Sequence, residues 1–167
     1  IGIIGLPNAG KSTLLSRITS ANPKIANYKF TTLNPNLGVA IYDDKEITLA
    51  DIPGLIKGAH EGVGLGIKFL KHIERCKILL HMIDVSENDL VLTYKQIRNE
   101  LKKYSYDLLK KKEIIVFNKV DLIEVNELKE KIKLFENKIK KKVNILSNTD
   151  KMLISKLKSS LLGHVFK

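Results

Sequence analysis

Cysteine is almost missing from this sequence. Cys76 stands alone, which excludes an internal disulfide framework and fits a reducing compartment. Its plainest role is that of a partly buried thiol. Tryptophan is missing altogether. Long apolar runs are missing too. None approaches the roughly 20 residues needed to cross a bilayer, so no membrane span is expected. The first residues form no signal peptide, because no basic region precedes the short apolar run and that run ends in a glycine loop. Cysteine and histidine show no zinc-like spacing. His72, His81 and His164 receive no role.

Acidic residues are scarce relative to basic ones: 18 against 29, a net charge of +11. Such a balance favours an acidic partner, RNA above all, or else a solvated lysine-rich surface. The 167 residues, 44% apolar and 28% charged, suit one domain over 1–167 with a proper core. Ile1–Gly5 reads as a core strand with no lead-in, so the chain is expected to be a fragment of a longer one.

Apolar patterning alternates between strand and helix. Val39–Tyr42 and Glu46–Asp51 read as strands joined by a tight turn at Asp43, Asp44 and Lys45. Lys77–Asp84 and Glu113–Asn118 hold continuous apolar runs, which mark strands buried on both faces. Val143–Leu146 is a sixth, shorter strand. Lys11–Thr19 reads as a helix. Leu90, Tyr94, Ile97, Leu101 and Leu108 follow the helical period, as do Leu128, Ile132, Phe135 and Ile139, then Leu153, Leu157 and Leu161. The expected fold is α/β: a three-layer doubly wound architecture with a mixed, mostly parallel six-stranded sheet and helices on both faces. Ligands in such sheets sit at the carboxyl ends of the strands, where every motif below falls.

Gly5-Leu6-Pro7-Asn8-Ala9-Gly10-Lys11-Ser12 fits G-x-x-x-x-G-K-[ST] between a strand and a helix. The loop's inward amides, over Asn8, Ala9, Gly10, Lys11, Ser12 and Thr13, make a nest for phosphate oxygens at a helix N-terminus. Lys11 is expected at the β- and γ-phosphates and Ser12 on Mg²⁺. Asn118-Lys119-Val120-Asp121 follows an apolar strand and selects the base. The Asp121 carboxylate can accept from the guanine N1–H and exocyclic amine, and adenine offers neither donor there. Asn118 buttresses the loop, and the stem of Lys119 covers the ring. Ser147 and Asn148, after the last strand, are further base contacts. The expected ligands are therefore GTP and GDP with Mg²⁺.

Asp51-Ile52-Pro53-Gly54 fits Asp-x-x-Gly. Asp51 is placed on Mg²⁺ through water and the Gly54 amide on the γ-phosphate. Between the two motifs a threonine completes the metal shell: Thr32, with Thr31 as the alternative. Five of the ten glycines lie from Gly54 to Gly66, a segment able to rearrange when one phosphate leaves.

The stretches GLPNAGKSTLL at 5–15, NYKFTTLNPNLG at 27–38 and DIPGLIKGAHEGVGLGIKFLKHIERCK at 51–77 resemble the Obg family of GTPases. The resemblance implies a guanine-nucleotide switch in assembly or surveillance of the large ribosomal subunit. Large-subunit rRNA is then a partner, and the location is a cytoplasm or an organelle that holds ribosomes. Obg proteins usually carry a glycine-rich domain before this one, and some carry another after it. Lys29 stands where the family usually has proline, and Asn148 where it usually has alanine. Leu55 follows Gly54 where Ras-like enzymes have glutamine, so intrinsic hydrolysis is expected to be slow. In GTPases similar to this one the asparagine at Asn8 helps bind K⁺; the other reading is a loop-stabilising side chain. Lys11, Thr32, Gly54 and Asn8 are the residues expected to assist the chemistry. His60 reads as solvent-facing. The isolated domain is expected to be a monomer. Two rivals remain at this point. One is a P-loop ATPase. The other is a basic RNA-binding module with a vestigial nucleotide site, resting on lysines 102, 103, 110–112 and 138–142.

Overall fold

In chain order the elements are β1 (Gly2–Ile4), α1 (Lys11–Ile18), β2 (Lys24–Ile25), β3 (Asn36–Tyr42), β4 (Lys45–Asp51), β5 (Ile78–Asp84) and α2 (Leu90–Tyr104). A 3-10 turn (Tyr106–Lys110), β6 (Lys112–Asn118), a second 3-10 turn (Val120–Leu122), α3 (Val125–Ile139), β7 (Val143–Ile145) and α4 (Lys151–Val165) complete them. The computed structural model describes residues 1–19, 24–25, 36–42, 44–52 and 74–166.

The strands form one sheet in the order β2-β3-β4-β1-β5-β6-β7. β1 runs parallel to β4 and β5, and β5, β6 and β7 continue parallel. β2–β3 and β3–β4 are antiparallel. The six expected strands are all present. A two-residue seventh, β2, extends the β3 edge, too short to leave a periodic signal in the sequence. β3 and β4 pair through Tyr42 and Lys45, with Asp44 at φ 59°, a left-handed position that Asp tolerates in tight turns.

Every residue of β5 is buried, as expected of a parallel strand covered on both sides. On one face α1 and α4 pack Leu14, Leu15, Ile18, Leu157 and Leu161 against Ile3, Leu80 and Met82. On the other, Ile97 and Leu101 of α2 cover Ile4 and Leu79. Tyr94 of α2 and Phe135 of α3 cover Ile83, Ile115 and Phe117. Capping delimits the helices. Asp89 Oδ1 accepts from the Leu92 amide at 2.9 Å. Asp150 Oδ1 accepts from Met152 and Leu153 at 2.8 and 3.1 Å. Each such cap contributes about 1 kcal/mol. Leu108 is not the next turn of α2. Ser105 turns extended and its Oγ accepts from Asp107 N, so Leu108 reaches the core from a 3-10 turn. Among the described residues no helix is long and apolar enough to cross a membrane.

β5 also buries a histidine. His81 is fully enclosed. Its Nδ1 lies 3.0 Å from Glu113 Oε1, and Tyr94 stacks on its ring at 5.1 Å. Glu113 Oε2 accepts from Tyr94 Oη at 2.9 Å and from Lys141 Nζ at 2.5 Å. Burial alone would raise the Glu113 carboxyl; the His81 and Lys141 bonds and the Arg98 charge outweigh it and bring it down to about 2. Burial lowers the His81 pKa and outweighs the opposing pull of the Glu113 carboxylate.

The consequence is acid lability. In the unfolded chain Glu113 takes up its proton near 4.5. Its contribution is therefore complete above that pH and is lost as pH falls toward 2. His81 acts in the same direction, from below its free value of 6.5. Urea unfolding should show wild-type stability falling by a few kcal/mol, on the order expected from linkage, between pH 7 and pH 3. Glu113→Gln should be less stable at pH 7 and much flatter below pH 4.5. Parallel pH profiles for the two proteins would contradict this account.

Candidate nucleotide-binding site

The end of β1 is where the chain stops being ordinary strand. Gly5 has φ 152°, and a Cβ there would stand 2.3 Å from the Met82 carbonyl oxygen. That is immovable backbone, so only glycine lets the loop leave the sheet so closely. Asn8 follows at φ 66°, and Gly10 at φ 93°, where a Cβ would lie 2.3 Å from Asn118 Nδ2. The loop closes into α1 through the Leu14 amide, which donates to Gly10 O at 2.9 Å. The free first-turn amides of α1 and its dipole then face the concavity, as an anion requires.

Lys11 Nζ donates to the carbonyls of Gly5 and Leu6, both at 3.0 Å. Burial lowers its pKa, and the Asp51 charge partly restores it. The ammonium is thus held across the loop by two carbonyls that a phosphate oxygen can replace. Beside it, Ser12 Oγ donates to Asp51 Oδ2 at 2.5 Å. Asp51 is 4% exposed, and its Oδ1 is buried without a partner among the described residues. A buried carboxylate with one unsatisfied oxygen next to a hydroxyl is a donor set that suits a hard divalent cation.

The base-reading segment sits directly on this loop. Asn118 is fully buried, and its Nδ2 donates to Ala9 O at 2.8 Å across 109 residues. Lys119 turns left-handed at φ 64°. Its Nζ reaches Asp84 Oδ2 at 2.6 Å, which holds the stem of the side chain along the cavity wall. Burial would raise the Asp84 carboxyl; the bonds from Lys119 and from the Ser86 hydroxyl and amide outweigh it and keep it below the usual carboxylate range. From the end of β7, Asn148 Nδ2 donates to Gly10 O at 3.1 Å. Asn148, which stands where the resemblance would put alanine, therefore adds a strut between the two loops. Ser147 Oγ and Thr149 Oγ1 are 2.7 Å apart.

Together these loops enclose a cavity of about 590 Å³, with Lys11, Ser12, Lys119, Asp121, Ser147 and Asn148 on its walls. Asn8, Gly10 and Thr13 also face it. Ala9 lies behind, 2% exposed, and contributes its backbone. Thr31, Thr32, Gly54, Leu55 and His60 lie outside the described residues. Two site residues escape the sequence reading. Thr149 lines the cavity, and Asp84 anchors Lys119. The available signal for Asp84 was a carboxylate at the carboxyl end of a core strand, the ligand edge of a doubly wound sheet.

A glycine loop closing on a helix N-terminus, a lysine and a serine at its mouth, and a base-reading loop bonded to its back define a P-loop GTPase domain. The chain matches the family described as 50S ribosome-binding GTPase over residues 1–119. It is 67% identical over 165 residues to the GTPase Obg of Pelagibacter ubique, covering 99% of this chain and 50% of that protein. It is 53% identical over 157 residues to the GTPase Obg of Rickettsia felis, covering 94% and 48%. The chain belongs to the Obg family of GTPases and spans about half the length of the curated relatives it matches. Among solved structures it is similar to a variant of Aquifex aeolicus Era bound to GDP·AlF4⁻, with a TM-score of 0.67, 26% identity, and coverage of 88% of this chain and 50% of that one.

Proposed function

We propose that this domain binds GTP and GDP with Mg²⁺, hydrolyses GTP slowly, and acts as a switch in assembly of the large ribosomal subunit. The observation that carries the nucleotide reading is the bond from Asn118 Nδ2 to Ala9 O. It mounts the guanine-reading carboxylate of Asp121 on the same rigid unit as the phosphate loop, so base and phosphates are read across one cavity. A vestigial site would have no need of that strut, of the unsatisfied Asp51 oxygen, or of an ammonium parked on two carbonyls.

In this reading Lys11 leaves the Gly5 and Leu6 carbonyls for the β- and γ-phosphates. The amides from Asn8 to Thr13 hold the phosphate oxygens. Ser12, Asp51 and Thr32 would hold Mg²⁺, directly or through water, and the ion would neutralise charge on the phosphates. Gly54 senses the γ-phosphate through its amide. Water attacks the γ-phosphorus in line; the bond to the β–γ bridging oxygen breaks, and GDP and phosphate leave. Leu55 has no group to orient that water, which makes unaided turnover slow. In the same reading Asn8, left-handed within the loop, helps hold K⁺ beside the phosphates. The family description and the basic charge of +11 support the ribosomal part, and with it a reducing compartment that contains ribosomes.

Steady-state GTP hydrolysis in K⁺ and in Na⁺, with and without large ribosomal subunits, tests the whole. Faster turnover in K⁺ and further stimulation by subunits are expected. Equal rates in the two salts would remove the role of Asn8. Indifference to subunits would remove the ribosomal role and leave the nucleotide reading standing.

A further inference from the structure

The nucleotide cavity occupies the carboxyl ends of β1, β6 and β7. The opposite pole, at the amino ends of β5, β6 and β7, collects lysine from separate stretches of the chain. Lys112, the first residue of β6, is paired in register with Ile78, so Lys77, the residue before β5, lies diagonally across from it on the neighbouring strand. Ile115 faces Val143, which brings Lys140, three residues before Val143, beside the start of β6. Lys102 lies in the last turn of α2 and Lys138 in the last turn of α3, the helix ends that run toward the amino ends of the parallel strands. All five are exposed and have no ion-pair partner among the described residues.

Neighbouring lysines are spent on structure. Lys141 is held by Glu113, Lys142 by Glu136, and Lys111 by the carbonyls of Glu74 and Cys76 at 2.9 and 2.7 Å. Those bonds tie the loops down and leave the five ammonium groups in solvent. Complementing a helix dipole explains Lys102 and Lys138, but not Lys77 or Lys112 at strand starts. Lys140 has φ 60° at the end of α3, where glycine is the usual residue. An exposed aromatic ring precedes β6. Tyr106, in the 3-10 turn before that strand, is 64% exposed, and Lys110 Nζ, paired with Asp107 at 2.7 Å, lies 5.6 Å from its centroid.

We propose that this pole binds RNA, with the lysines along the phosphate backbone and an unpaired base stacked on Tyr106. It rests on the ribosomal reading above for the kind of partner, and it supplies the surface. The exposed ring separates RNA from an acidic protein segment, because every base has a face to stack. The pole lies about 20 Å from the nucleotide cavity, a seven-residue strand away. RNA held there leaves the cavity open for nucleotide exchange and hydrolysis.

The test is fluorescence anisotropy of the 167-residue chain, saturated with GDP, on an RNA hairpin with a single-stranded loop. The comparison is between Lys77→Ala/Lys112→Ala/Lys140→Ala and a control triple, Lys129→Ala/Lys133→Ala/Lys156→Ala, of equal charge elsewhere. The pole variant should lose affinity about tenfold or more. Its slope of log K against log salt should flatten by about 2 to 3, at about 0.9 per lost duplex phosphate contact. The control should change little. Tyr106→Ala should weaken hairpin binding by about five- to a hundredfold, the range of one base stack, and Tyr106→Phe should restore it. GDP affinity, measured on the same samples, should be equal in all. Equal losses in the two lysine triples, no effect of Tyr106→Ala, or equally tight binding to poly-glutamate would overturn the proposal. Loss of GDP binding by the unmodified chain would instead strike the nucleotide reading.

Discussion

Lys11→Ala is expected to abolish the heat of binding when GTP or GDP is titrated into the protein with Mg²⁺ present. The ammonium rests on Gly5 O and Leu6 O, at the head of α1 and beside the Asp51 carboxylate. Removing it takes from the site the only lysine of the phosphate loop. Leaving a multiply charged anion without its close cation in a partly desolvated cavity costs about 3–5 kcal/mol, or two to nearly four orders of magnitude in affinity. The fold should tolerate the change. Burial already disfavours this charge, and the two carbonyls can turn to water in an open cavity. An unfolding midpoint near wild type would therefore assign lost binding to the site. Nucleotide affinity within tenfold of wild type would refute the role given to Lys11 and, with it, the phosphate-loop reading.

Asp121→Ala should act on a different quantity, the discrimination between bases. Asp121 is exposed on the cavity wall, on a 3-10 turn held in place by the Val120 amide, which donates to Leu146 O at 3.2 Å. Its carboxylate can accept from both the N1–H and the exocyclic amine of guanine. Two hydrogen bonds to a charged acceptor contribute about 3–6 kcal/mol together. Wild-type protein should thus bind GTP at least about a hundredfold more tightly than ATP, and in Asp121→Ala that ratio should fall toward unity through loss of GTP rather than gain of ATP. Inosine triphosphate, which keeps the N1–H but lacks the amine, should lie between. The GTP-to-inosine-triphosphate ratio should fall to about one in the variant, since the bond that creates the preference is gone. A ratio unchanged by the mutation would show that another group reads the amine. Asp84→Asn makes a milder comparison. Lys119 would lose a 2.6 Å charge partner, and affinity for all purine nucleotides should drop several-fold while base preference stays.

Much of this site is legible in the amino-acid sequence. The spacing of Gly5, Gly10, Lys11 and Ser12 is a local pattern. So is Asn118 through Asp121, and so is a continuous apolar run such as Ile114–Phe117. Local patterns record what a segment requires of its own backbone and faces, and they are read directly. Even so, the end of α2 was misplaced. Leu108 keeps the helical period with Leu101, but Ser105 breaks the helix, because a hydroxyl that caps the next turn competes with the helical bond at that point.

What the sequence determined alone is the chemical identity of the nucleotide site and the alternation of strands and helices around it, because each follows from residues within a turn or two of one another. Strand order and register decided the rest. They set Asn118 against Ala9 and Asn148 against Gly10, joined Asp84 to Lys119, enclosed His81 with Glu113, and drew scattered lysines to one pole. None of these pairs leaves a periodic trace along the chain. Which strand lies beside which is settled by packing whole hydrophobic faces against one another, and contacts between distant residues exist only once that packing is complete.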